Sequence, residues 1–162
     1  MKLLILGQAR HGKDTVAEIL HKESGLKFTS SSMFAAKKFI FNILAEDKGY
    51  ENVEECYMDR VNCREEWYIL ISAYNIPDRS TLCREILKDN DIYVGMRNLK
   101  EFEASRLFFD LVIWVDASKR VPPENSTSIS ISKDKADIVI DNNGTLDELI
   151  TKVQRLSDSL KI

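Results

Sequence analysis

Residues 7–15 read Gly7-Gln8-Ala9-Arg10-His11-Gly12-Lys13-Asp14-Thr15, the spacing G-x-x-x-x-G-K. That pattern suits phosphate binding. A chain of phosphates needs several backbone N–H groups converging on it, and glycine lets the backbone come close. A helix starting at the second glycine adds its positive end, and the lysine reaches the outer phosphates. Here the pattern lies between an apolar run at 2–6 and an amphipathic stretch, the context it requires. Gly7, Arg10, His11, Gly12, Lys13 and Thr15 are therefore candidate phosphate-binding residues. One position departs: Asp14 stands where Ser or Thr usually touches a magnesium ion. A carboxylate is a hard oxygen ligand and would serve, which makes Asp14 the candidate metal ligand. It would equally favour the helix dipole as a first-turn acid.

The other candidates are cations. Arg97 follows the apolar stretch 91–96, which carries Gly95 where an acid often stands, and beyond a strand end it faces the ligand crevice of an open sheet. Its alternative is a surface pair with Glu101. Lys119 and Arg120 open a Pro/Ser-rich segment, 119–132, after the strand-like 110–116; a mobile lid carrying such cations neutralises charge in phosphoryl transfer. Solvated surface charges are the alternative, and Asp116 reads as a cap. Arg60 and Arg64 are one helical turn apart beside Trp67, suited to gripping a monophosphate or lying on an exposed face. Lys37 and Lys38 are weaker candidates. Asp141-Asn142-Asn143-Gly144-Thr145 is a turn that would also hold a flat base against its backbone.

The elements that must position these groups alternate. Strands are expected at 2–6, 26–29, 91–96, 110–116 and 136–140. The middle of the chain reads as mostly helical: Met33, Ala36, Ile40 and Ile43 mark one helix, and Trp67, Leu70, Ile71 and Tyr74 another. A third starts near Asp78 or Ser80 and runs through Leu82 and Ile86, and another fills 99–107. Thr145 to Glu148 is a capping box, followed by a helix with Leu146, Leu149, Ile150, Val153 and Leu156 inward. Alternation of this kind implies an α/β fold: a largely parallel sheet with helices on both faces.

At 162 residues, with 44% hydrophobic and 30% charged, the chain has one core's worth of sequence and reads as a single globular domain over 1–162. Net charge is 23 minus 26, or −3, so no global basic field advertises nucleic acid. Residues 1–6 are too short for a signal or a membrane span, so a cytoplasmic protein with no membrane partner is expected. Cys56, Cys63 and Cys83 form no C-x-x-C pair and read as free thiols rather than as zinc ligands with His11 and His21.

Taken together, Gly12-Lys-Asp-Thr-Val-Ala17, Tyr93-Val-Gly-Met-Arg97 with Glu101, and Ile140-Asp-Asn-Asn-Gly-Thr145 resemble the P-loop nucleoside monophosphate kinases, most closely those of bacteriophages that act on deoxynucleotides. The Gly-Lys-Asp-Thr variant is also found in animal phosphomevalonate kinases. The resemblance implies a three-layer P-loop kinase fold with a parallel five-stranded sheet. It implies a helical acceptor-binding region over about 30–90 and a lid over about 117–134. It further implies ATP as donor with Mg²⁺, and a nucleotide acceptor. By matching position, Gly12, Lys13, Asp14 and Thr15 would hold donor phosphates and metal, Gly144 and Thr145 the donor adenine, and Arg97 the transferring phosphates. Lys13, Arg97 and Arg120 are the catalytic candidates; Arg60, Arg64, Arg97 and Lys37 are those for the acceptor. Related phage kinases that act on hydroxymethyluracil within DNA offer an alternative acceptor, and a nucleotide-binding regulator without turnover is the non-enzymatic one. If phage-encoded, the protein would work in a host cytoplasm.

Overall fold

Leu3–Leu6 (β1) carries four aliphatic side chains, all fully buried, and such a strand is stable only with cover on both faces. Each side chain so buried contributes roughly 1.5–3 kcal/mol. The computed structural model describes residues 1–124 and 129–162. It adds Phe28–Ser30 (β2), Ile92–Val94 (β3), Leu111–Asp116 (β4) and Ile138–Asp141 (β5). All pairings are parallel, in the order β2-β3-β1-β4-β5, so the central strand is the one that feeds the glycine loop. The chain moves to one side of β1 for β2 and β3, then to the other for β4 and β5. Such a switch opens a crevice beyond the carboxyl ends of the strands.

Lys13–Ser24 (α1) covers one face, where Val16, Ala17 and Leu20 meet Leu3, Ile5, Val94 and Val115. The second, helical region is Ser31–Ala35 (α2), a π-helical turn at Ala36–Ile40, Phe41–Lys48 (α3), Val53–Asp59 (α4), Arg64–Tyr74 (α5) and Thr81–Asp89 (α6). Leu99–Ser105 (α7) follows β3, and Leu146–Leu160 (α8) ends the chain against α1. The opposite face of the sheet, Leu4, Leu6, Tyr93, Val112 and Trp114, packs on Leu82, Cys83, Ile86 and Phe102. A smaller cluster of Ala36, Ile40, Leu44, Cys56 and Trp67 holds the helical region together.

The α/β architecture and the five-stranded parallel sheet match the sequence reading. Several details differ. Ile43 is 51% exposed, because the wider turn at Ala36–Ile40 shifts the helix register and puts Leu44 inward instead. Leu146 is 59% exposed; it opens α8, ahead of the turn that first meets the sheet. Arg60 and Arg64 do not share a helix: α4 ends at Asp59 and α5 starts at Arg64. The Pro/Ser segment is not uniformly loose either, since Ile131 is buried and Ile129 half-buried against the second cluster. Residues 125–128 of the expected lid lie outside the described residues. Cys56 and Cys83 are buried free thiols, with Cys63 half-buried. Among the described residues, no helix is long and apolar enough to cross a membrane.

Candidate phosphate and acceptor site

The loop leaving β1 is shaped by three residues with positive φ: Gly7 at 144°, Arg10 at 63° and Gly12 at 94°. A Cβ on Gly7 would lie 2.6 Å from the Val115 carbonyl, and one on Gly12 would lie 2.4 Å from Asn142 Nδ2. Close approach, not only turn geometry, therefore demands glycine at both. Arg10 takes the left-handed conformation that costs a non-glycine residue energy and turns successive N–H groups into a concave anion nest. Lys13 opens α1 and is buried; its Nζ bridges back to the Gln8 carbonyl at 2.6 Å. Burial, followed by the nearby Arg97 charge, lowers its pKa to about 8.

Contacts from distant parts of the chain fix the loop. Asn142, buried after β5, donates from Nδ2 to the His11 carbonyl at 2.9 Å and from its backbone N to the Asp116 carbonyl at 2.7 Å. The His11 ring, 2% exposed, accepts from the Ala117 N–H through Nδ1 at 3.0 Å. Nδ1 is thus an acceptor, and burial depresses the ring's pKa, keeping it neutral. The His11 side chain thus braces the residue that follows β4, with its Nε2 buried and without a hydrogen-bond partner. Nothing local in Asp-Asn-Asn-Gly marks which asparagine turns inward. Arg120 donates from Nε to the Asn142 carbonyl at 2.7 Å and is exposed, which sets it on the brace and apart from the other arginines. Lys119 is exposed beside Asn143, to whose Oδ1 its N–H donates. Asp116 accepts from the Ser118 N–H and pairs with Lys133, the arrangement of a cap. Thr145 caps α8 in a complete capping box, and the Glu148 carboxylate would lie 1.7 Å from a Cβ on Gly144. Both stand at an exposed turn.

Beyond Lys13 opens a cavity of about 260 Å³. Arg10, Lys13 and Asp14 line it from the loop, and Arg60, Arg64 and Arg97 from the other elements. Tyr57, Trp67, Tyr68 and Tyr93 supply aromatic wall. The two arginines of the helical region meet here although a helix break separates them. Arg60 lies over the Tyr57 ring at 3.7 Å and donates to the Tyr57 carbonyl at 2.8 Å. Gly95, with φ 92°, stands at the end of β3, where a Cβ would be 3.9 Å from Lys13 Cε. An acid at that position would reach Lys13; with glycine there, Asp14 and Glu101 are the carboxylates lining the cavity among the described residues. Asp14 is exposed and Glu101 buried. Lys37 is exposed and does not line the cavity, and Lys38 pairs with Glu85.

The Glu124 carboxylate fills the junction between loop and cavity. Oε2 accepts from the Ala9 N–H at 3.0 Å and meets Arg64 at 3.5 Å, while Oε1 pairs with Arg97. The Glu124 N–H donates to Gln8 Oε1 at 2.9 Å, and the side chain is only 8% exposed. Sequence reading gave no signal for this residue.

Shikimate kinase from Bacteroides thetaiotaomicron superposes on the protein with a TM-score of 0.55 at 10% identity, over 100% of this chain and 99% of that one. Shikimate kinase from Aquifex aeolicus gives 0.52 at 10% identity, over 99% and 98%. The fold is that of the P-loop kinases. No protein-family model matches the chain. No curated protein matches it either. At this identity the likeness concerns the fold, and the roles of the site residues rest on their own geometry.

Proposed function

We propose that the protein is an ATP- and Mg²⁺-dependent kinase that transfers the γ-phosphoryl group to a nucleoside monophosphate, in the manner of the phage deoxynucleotide kinases it resembles. One observation carries this reading: the chain's own carboxylate, on Glu124, sits where the Ala9 N–H, Arg64 and Arg97 converge. That is a site built for an anion, at the point where a phosphate loop meets an aromatic cavity. Phosphoryl transfer needs just such a meeting of donor phosphates and acceptor oxygen.

In this reading the loop N–H groups and Lys13 hold the donor's outer phosphates, and Arg97 neutralises charge on the group in transit. Arg64 and Arg60 grip the acceptor monophosphate, its ring lies among the tyrosines, and the exposed turn at Gly144 and Thr145 holds the donor base. The acceptor region spans about 30–90, and the segment about 117–134 closes over the site, with Glu124 giving way to phosphate.

Magnesium, when bound, would supply positive charge to offset that of the phosphates. Asp14 fits it chemically, as an exposed oxygen donor beside Lys13 on the cavity rim. Among the described residues no cluster of three or more His, Cys, Asp or Glu gathers for a metal, so phosphates and water would complete the shell. Asp14→Asn should raise the Mg²⁺ concentration giving half activity, and Asp14→Ser should partly restore it. An unchanged Mg²⁺ dependence in both variants would leave Asp14 as a helix-dipole acid.

The reading is tested by incubating the protein with ATP, Mg²⁺ and each ribo- and deoxyribonucleoside monophosphate, then separating products by chromatography. Formation of a nucleoside diphosphate from at least one of them is expected. ADP formed with no phosphorylated acceptor would overturn the assignment.

A further inference from the structure

Glu101, on the first turn of α7, is 3% exposed, and its Oε1 has no hydrogen-bond partner. A buried carboxyl oxygen left unpaired is costly, so its persistence in a cavity wall points to a ligand. Its surroundings say which kind. Asn98 Oδ1 is taken by the N–H groups of Lys100 and Glu101, at 2.9 and 3.3 Å. Asn98 Nδ2 donates to Tyr68 Oη at 3.0 Å and Ser72 Oγ at 3.2 Å. Each hydroxyl thus has its oxygen engaged by Asn98 and its hydrogen left to donate. Tyr68 and Ser72 line the same cavity as Glu101. This part of the wall offers one carboxylate acceptor beside hydroxyl donors.

The complement of that pattern is a ring N–H flanked by carbonyl oxygen. We propose that Glu101 is the specificity-determining residue for the acceptor base, accepting a ring N–H while Tyr68 and Ser72 donate to the neighbouring carbonyl. The inference rests on reading the cavity as a nucleoside monophosphate site. It selects bases with a lactam or imide edge, namely guanine, thymine and uracil. Cytosine and adenine present a ring nitrogen without hydrogen at that edge and would leave Glu101 facing a lone pair.

The charge state of Glu101 bears on this. Burial pushes its carboxyl up to about 7, with Asn75 and then Arg79 acting in the opposite direction. Tyr93, on the strand beneath, and Cys83, on α6, are both raised by burial and stay protonated near neutrality. Tyr68 and Tyr57 are the other phenols lining the cavity. As pH rises through about 7, Glu101 becomes purely an acceptor, so the preference for lactam bases should strengthen. In acid, its protonated form would donate to cytosine or adenine, and the preference should narrow.

The test compares kcat/KM for dTMP, dGMP, dCMP and dAMP in wild type, Glu101→Gln and Tyr68→Phe, each one pH unit either side of about 7. Wild type should favour dTMP and dGMP by roughly tenfold or more, more so at the higher pH. Glu101→Gln, whose amide both donates and accepts, should shrink the ratio by on the order of tenfold and remove its pH dependence. Tyr68→Phe should shrink the ratio but keep the pH dependence, and an ATP KM near wild type in each variant shows that the fold is intact. An unaltered base preference in Glu101→Gln, with nucleotides still turned over, overturns the assignment of Glu101 alone. Phosphorylation of no nucleotide by wild type overturns the nucleotide reading and this inference with it.

Discussion

Replacing Lys13 by alanine is expected to lower kcat by on the order of a hundredfold or more, the scale on which a single buried electrostatic donor acts. The Lys13 ammonium is held across the loop by the Gln8 carbonyl, so it is placed before any phosphate arrives. Burial keeps competing water away, which strengthens its pull on developing charge. The same burial predicts a pH signature. In the empty site Lys13 titrates at about 8, and phosphate charge would raise that value. Below pH about 8 both free and bound forms carry the proton, so ATP affinity is flat. Above it the free enzyme loses the proton that binding must restore, and affinity should fall. Steady-state kinetics of Lys13→Ala and a pH series of ATP affinity in wild type check both. Near-normal turnover in a folded Lys13→Ala protein would remove the phosphate loop from the mechanism.

Arg97→Ala is expected to have the next largest effect, depressing kcat roughly tenfold to a hundredfold and raising the acceptor KM. Arg97 stands between the loop and the cavity: it pairs with Glu124, lines the cavity and acts on the Lys13 charge. Arg64 shares the Glu124 carboxylate, and Arg60 is tied to Tyr57. Both should matter chiefly before the charge changes. Arg60→Ala or Arg64→Ala should therefore raise the acceptor KM more than the ATP KM, with a smaller change in kcat. Initial-rate kinetics with each substrate varied in turn separate these cases. Equal effects of all three variants on ATP KM alone would place the arginines on the donor.

The difference between what the sequence disclosed and what it hid has a physical basis. The glycine loop was legible because its demands are local: close approach at Gly7 and Gly12, a helix start and an adjacent lysine. Strands β1, β3 and β4 were legible because their apolar runs are buried on both faces. Helix α4 was not, since only Cys56 of its seven residues is buried and no apolar period marks it. Arg60 and Arg64 reach one cavity, yet the break between α4 and α5 positions them, and spacing alone suggested one continuous helix. The braces were invisible for a different reason. Asn142 meets His11 across 131 residues and Glu124 meets Ala9 across 115, so no window along the chain contains both partners. Lys37 and Arg120 show the converse: a cation in a suggestive neighbourhood says little until the fold gives its direction.

A single-turnover experiment with ATP labelled in its γ-phosphoryl group tests the central claim most directly. With protein in excess over ATP, and a mixture of nucleoside monophosphates and Mg²⁺ present, the label should pass in one turnover to the β position of a nucleoside diphosphate. Label recovered as inorganic phosphate, or retained in ATP bound to folded protein, would contradict the account.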